Sequence, residues 1–206
     1  IYPEQGYGDF IQFCRYIPLL SERGAKVIVE VPKPLVTIAS SLGQDITVIE
    51  TGTKTPYFDY QCPIMSLPLA FKTTLDNIPS TFPYLKAEPE KLEFWQKKLG
   101  SKTKLRIGLA WSGSNHHKND HNRTLKLSAL LPLLNFPVEF HSLQKEMREE
   151  DQTTFEESTI YDHQQDLQDF SDTAALIEMM DAVISVDTAV AHLAGALGKK
   201  VFLLLP

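Results

Sequence analysis

Three short stretches of this chain combine acidic, basic, hydroxyl and glycine residues at spacings suited to phosphate binding or proton transfer. The first, residues 3–13, reads PEQGYGDFIQF, with Gly6 and Gly8 leading into Asp9. Asp9 followed three positions later by Gln12 matches a capping box, which would place Asp9 at a helix start. A helix start favours a charged carboxylate, so the same aspartate is also a candidate proton acceptor. The dinucleotide fingerprint fails here, because Ile11 stands where the third glycine is needed.

The second stretch, residues 108–124, is an apolar run emptying into a loop with Ser112, Gly113, Lys118 and Arg123. Both cations suit negative charge, and the planar fork of arginine matches phosphate oxygens. A phosphate loop of the ATPase type is excluded, since Ser114 occupies the place of its lysine. His117, Asp120 and His121 could ligate zinc, but no thiolate or fourth ligand accompanies them, so a phosphate loop is preferred. The third stretch, residues 182–195, is a β-branched run ending in Asp187-Thr188, with a small-residue helix beginning at once. Such a helix start is an anion site, and Thr188 and His192 share one helix face. Capping by Asp187 or Thr188, with His192 merely packed, explains the same residues equally well. Ser142 and Gln144, leaving another apolar run, are weaker candidates for a nucleoside. Residues 169–174 read first as a helix start capped by Ser171 or Asp172.

These stretches need a scaffold that delivers them to one place. Strands are predicted at 26–31, 46–49, 59–62, 105–111, 138–143, 160–161, 182–186 and 201–205. Helices fit at 34–42, 88–99, 127–134, 172–180 and 188–197, with Gly100 as a stop and an apolar segment at 64–71. Short apolar strands alternating with helices imply mostly parallel sheets covered on both faces. The polar linker 101–104 marks a boundary between a domain at 1–100 and another at 101–206. Ligands of such α/β sheets bind beyond the carboxyl ends of the strands, where all three stretches fall.

Composition narrows the function classes. A net charge of −6 without a dominant basic run argues against a nucleic-acid surface. No apolar run reaches the roughly 18 residues needed to span a bilayer, so the chain is read as not transmembrane. Cys14 and Cys62 form no metal-type or redox pair, which favours reduced thiols and a cytoplasmic setting. The abrupt apolar ends, Ile1-Tyr2-Pro3 and Val201 to Pro206, are read as those of a piece of something longer, with a truncated first strand and a missing closing segment.

Taken in order, the motifs resemble glycosyltransferase family 9, the ADP-heptose:lipopolysaccharide heptosyltransferases. They are most similar to the transferase-like domains that follow tetratricopeptide repeats in bacterial proteins. The resemblance is carried by Gly6-Tyr7-Gly8-Asp9 with Arg15-Tyr16, by Cys62-Pro63-Ile64, and by Gly108 to Gly113. His117-Lys118-Asn119-Asp120, Asn122-Arg123-Thr124, Ser142-Leu143-Gln144, Asp169 to Ile177 and Ile184 to Gly195 complete it. It implies a GT-B architecture, in which two Rossmann-like domains face a cleft with the acceptor on the first and the nucleotide-sugar donor on the second. Asp9 would then be the general base. Lys118, helped by Arg123, would neutralise the departing diphosphate alongside Ser112 and Gly113. The Thr188 helix start would hold that diphosphate too, with Asp187 and His192 lining the site. Ser142 and Gln144 would face the nucleoside.

No Asp-x-Asp triplet occurs, in line with the metal-independent, cofactor-free transfer that the family implies. The acceptor would be a protein or an envelope glycan, and tetratricopeptide repeats would belong to the full-length chain. Ala189 stands where heptosyltransferases usually carry glycine, which argues against heptose as the donor sugar. The alternative is a catalytically inactive GT-B domain that binds a nucleotide-sugar or a protein partner. A sugar-nucleotide epimerase would need further carboxylates that the sequence does not place. Lys118→Ala is expected to cripple nucleotide-diphosphate binding, and the loss of one charged donor typically costs about 10²–10³ in rate. Unchanged affinity by calorimetry would remove Lys118 from the site.

Overall fold

The structure is a computed structural model that describes residues 1–113 and 120–205, with His121 described through its backbone only. Lys118, and the zinc reading on His117 and His121, therefore lie outside the described side chains. The chain is α/β with parallel sheets. Its first half contains α1 (Tyr7–Phe13), α2 (Ile17–Glu22), β1 (Val27–Val31), α3 (Val36–Ala39), β2 (Ile46–Glu50), α4 (Leu67–Ala70) and α5 (Pro89–Leu99). β1 runs parallel to β2, with Val27 opposite Ile46. The alternation in β1 buries Val27, Val29 and Val31, as a β-branched strand does on a packed sheet.

The first two residues extend this sheet. Ile1 bonds to β1 through its amino group (2.7 Å to the Ile28 carbonyl) and through its carbonyl (2.9 Å from the Glu30 amide). Tyr2 pairs on its other side with residues 62–64, through bonds of 3.3 and 2.9 Å. The chain then leaves straight into α1, so Asp9 stands at the carboxyl end of these strands. The strand predicted at 59–62 reduces to this single bridge at Pro63. Tyr57 and Tyr60 are 89% and 93% exposed, so this segment has no buried face to hold it in a sheet.

The second half contains β3 (Arg106–Ala110), α6 (Asp120–Arg123), β4 (Glu139–Ser142), α7 (Glu149–Glu156), α8 (Phe170–Glu178), β5 (Ala182–Val186), α9 (Ala189–Ala196) and β6 (Lys200–Leu204). Its four strands are parallel in the order β4-β3-β5-β6. The polar stretches after β3, β4 and β5 thus leave one edge of one sheet. The helix predicted at 127–134 is instead a 3₁₀ run, Leu127–Asn135, with Pro132 inside it. Proline supplies no N–H there and its ring crowds the preceding turn, which disfavours the wider α-helix.

One apolar core runs through both halves and joins Phe10, Ile11 and Trp95 to Leu176, Ile177, Leu193 and Ala194. Helix α1 packs on α9, while α3 and α5 pack on α8. Lys91 of α5 bonds to both Asp169 (3.0 Å) and Asp172 (2.8 Å) at the start of α8, and the Thr37 hydroxyl donates to Asp169 at 3.2 Å. Burial opposes ionisation of Asp169, but bonds from the Ser171 hydroxyl and Lys91 hold its carboxyl below the usual range.

Behind α5, His141 of β4 and His163 lie 2.9 Å apart between Nδ1 and Nε2, with rings 10° from parallel. The edge of Trp95 meets His163 at 5.0 Å. Burial pushes both imidazoles down to about 4. The mutual charge and Arg106 add to this for His141, and Lys98 does so for His163, against weaker pulls from Glu139, Asp162 and Asp166. A depressed folded value means that the unfolded chain takes up protons first. The stability tied to this pair is complete above the ordinary value of 6.5 and is lost as pH falls toward about 4. Urea midpoints are therefore expected to drop steadily across that window. His163→Gln should flatten the profile, and an equally steep profile in the variant would remove the pair as its cause.

Candidate functional site

The site is assembled where α1 meets the start of α9. Gly8 is in close contact there: a Cβ on it would lie 2.9 Å from His192 Cδ2 and 3.5 Å from the Ala189 Cα. A side chain on residue 8 would have to displace the imidazole or move the helices apart. Asp9 follows directly, half-buried, and its Oδ2 accepts the Gly6 N–H at 3.0 Å. This revises the capping assignment. Gly6 is the N-cap and Asp9 the third helical residue, because helix α1 begins three residues earlier than the Asp9–Gln12 pattern suggested.

Thr188 is the N-cap of α9, and its side chain makes no cap bond to the first turn. Its hydroxyl instead pairs with Ser185 at 3.2 Å. The dipole end of an eight-residue helix therefore faces the site without a side-chain acceptor from its own cap. His192 Nε2 lies 3.8 Å from Asp187 Oδ1. Burial under α1 lowers the His192 pKa, helped by the charge of Arg15 and opposed by Asp187 and Asp9. The imidazole is thus neutral near pH 7 and can either donate or accept a hydrogen bond.

Arg123 joins the loop after β3 to the loop after β5. Its Nη1 donates to the Asp187 carbonyl at 3.0 Å, and its Nε lies 3.5 Å from Asp120 Oδ1. The guanidinium rests on Gly113, where an added Cβ would fall 2.6 Å from Nη2. Arg148, which the sequence reading did not single out, bonds through Nη2 to Asp120 Oδ2, to the Gly113 carbonyl at 3.3 Å and to the Thr124 hydroxyl at 3.2 Å. Burial opposes ionisation of Asp120, but Arg148, Thr124 and Arg123 together hold its pKa low. Arg148 sits in the charged run KEMREE, which reads locally as a solvated surface, so no short-range signal marks it.

Ser112, Ser142 and Gln144 form the wall beside these groups. The Gln144 side-chain Oε1 accepts the N–H groups of Trp111 (3.2 Å) and Ser112 (3.3 Å). Its amide donates to the Ser112 hydroxyl at 2.7 Å and to the Glu146 carbonyl at 3.2 Å. The Ser142 hydroxyl accepts the Gln144 N–H at 3.2 Å. All three are buried, and the two serine hydroxyls accept the Gln144 bonds. At α8 the cap is Asp169, not Ser171 or Asp172. Its carboxylate accepts from the Ser171 and Asp172 amides, and Asp172 reciprocates. The structure thus gathers Asp9, Gly113, Arg123, Asp187, Thr188 and His192 at one place.

Comparison with known proteins bears on the fold. The sequence model of glycosyltransferase family 9 (heptosyltransferase) matches residues 167–204, the stretch holding α8, β5, α9 and β6. Among solved structures, Escherichia coli ADP-heptose LPS heptosyltransferase II shares the fold with a TM-score of 0.61 at 11% identity, over 99% of this chain and 83% of that one. E. coli heptosyltransferase WaaC with ADP-2-deoxy-2-fluoro heptose gives 0.56 at 10% identity, over 98% and 88%. The chain therefore has the GT-B fold of these enzymes. The family model matches this C-terminal stretch, and the two solved structures share the fold. Protein FlbA of Caulobacter vibrioides is 27% identical over 98% of this chain and 38% of its own length. The chain thus spans well under half of that relative.

The Gly113–Arg123 contact yields a double-mutant test. Gly113→Ala should push the guanidinium off the Asp187 carbonyl and weaken nucleotide-diphosphate binding about tenfold, the scale of one charged hydrogen bond. Arg123→Ala should do the same. In the Arg123→Ala background Gly113→Ala should cost nothing more, whereas additive losses in calorimetry would show that the two act separately.

Proposed function

We propose that this chain is the transferase unit of a metal-independent glycosyltransferase that moves a sugar from a nucleotide-diphosphate sugar to a hydroxyl of a protein or an envelope glycan. The half at 1–100 would serve as the acceptor side and the half at 101–206 as the donor side. The observation that carries this reading is the seating of Gly8 on His192 and Ala189. It brings Asp9 from one half beside the α9 start, Asp187 and Arg123 from the other.

In this reading the diphosphate lies at the first turn of α9 under Arg123, where helix dipole and guanidinium meet the charge that builds on it. Lys118 would approach from the loop after β3. Asp9 takes the proton of the acceptor hydroxyl as its oxygen bonds to the anomeric carbon. The bond from that carbon to the diphosphate breaks, and its electron pair leaves with the nucleotide. Neutral His192 can hold a donor oxygen by a hydrogen bond without adding charge. The side chain at Ala189 narrows the space at the helix start, which leads us to favour a hexose over a heptose donor.

Asp9→Asn tests the assignment. General-base loss should lower transfer by about 10²-fold or more, while calorimetry with ADP, UDP or GDP sugars shows donor affinity unchanged. A fully active variant would leave Asp9 only its bond to the Gly6 amide.

A further inference from the structure

Helix α1 has seven residues, fewer than an isolated helix needs to hold its shape in water. Its direction is therefore set by its packed face, which buries Phe10 and Ile11, and by what grips its two ends. The first end is gripped at Gly8. The second is gripped by residues 79–85, which cross between the two halves.

Arg15, one residue beyond the α1 cap, lies half-buried with its guanidinium over the rings of Phe82 (5.5 Å) and Tyr84 (4.8 Å). Its Nε donates to the Gln12 carbonyl at 2.8 Å and its Nη1 to the Pro79 carbonyl at 3.3 Å. Nη2 donates to the Tyr84 hydroxyl at 3.1 Å, and that hydroxyl donates to the Ile11 carbonyl on α1, also at 3.1 Å. The Tyr84 amide in turn donates to the carbonyl of Ala196, the last residue of α9, at 3.0 Å. The last turn of α1 is thus tied through one tyrosine to the last turn of α9. The side chain makes one connection and the main chain the other.

We propose that Arg15 and Tyr84 are positioning residues that clamp the second end of α1 to α9 and so set the height and angle at which Asp9 faces the α9 N-terminus. The kinetic consequence rests on the glycosyl-transfer reading, but the clamp itself does not. Phe10 and Ile11 still seat α1 in the core, so loss of the clamp would let its last turn shift while its first turn stays in place. His192, half-buried beneath α1, would then be more open to water. A planar fork bonding three groups is not replaced by an ammonium, so Arg15→Lys keeps the charge and loses the geometry.

The test compares Tyr84→Phe and Arg15→Lys with the parent in the full-length protein. Tyr84→Phe removes both hydroxyl bonds, so amide exchange across α1 should quicken about tenfold while β3 and β5 stay unchanged. The His192 titration, read by NMR, should move up toward the ordinary histidine value as burial is relieved. A misplaced base should lower kcat about tenfold, with nucleotide-diphosphate affinity held within about twofold. Unchanged α1 exchange and His192 titration in both variants would overturn the clamp. Loss of protection in β3 and β5 alike would overturn it too, by showing a general loosening. Should the parent transfer sugar from no donor, the functional reading fails, while exchange and titration still decide the clamp.

Discussion

The contact of Gly8 with His192 is the constraint on which the rest of the site depends. Helices α1 and α9 come from opposite halves of the chain and meet where a single methyl group on residue 8 would fall 2.9 Å from the imidazole. Because they meet there, the next residue, Asp9, is carried to the start of α9. The same contact covers His192 and keeps its imidazole neutral, against the nearby charges of Asp187 and Asp9. Proximity and protonation state therefore share one cause, the absence of a side chain at Gly8.

In the second half of the chain the organising group is Asp120. It sits between Arg123 and Arg148, and the two arginines connect it to Gly113, Thr124 and the Asp187 carbonyl. A cation already fixed by an aspartate and a carbonyl does not have to be reoriented when an anion arrives. Preorganisation of this kind is what makes electrostatic stabilisation effective. Gln144 does the corresponding work for the backbone, holding the ends of β3 and β4 together by bonds at both ends of its amide.

Much of this was legible locally. The β-branched runs at 27–31 and 182–186 announced strands, and Asp187-Thr188 followed by small residues announced a helix start at a strand end. The failures have local causes as well. Pro132 turned an apolar helix pattern into a 3₁₀ run, and the exposed tyrosines at 57 and 60 left their segment without a buried strand face. The capping pattern placed Asp9 at the wrong position, because Asp-x-x-Gln and Gly-x-x-Asp overlap in this stretch and only the backbone turn distinguishes them.

By itself the sequence determined the class of fold, the parallel order implied by alternating strands and helices, and the residue types available at each strand end. These depend on periodicity and on contacts a few residues apart, which neighbours in sequence encode. Only the tertiary structure decided that Gly8 meets His192, that Arg148 reaches back to Gly113, and that Tyr84 joins Ile11 to Ala196. Those pairings span 35 to 184 positions, and no local pattern encodes them. They exist because one apolar core closes across both halves and carries the polar groups at its rim together.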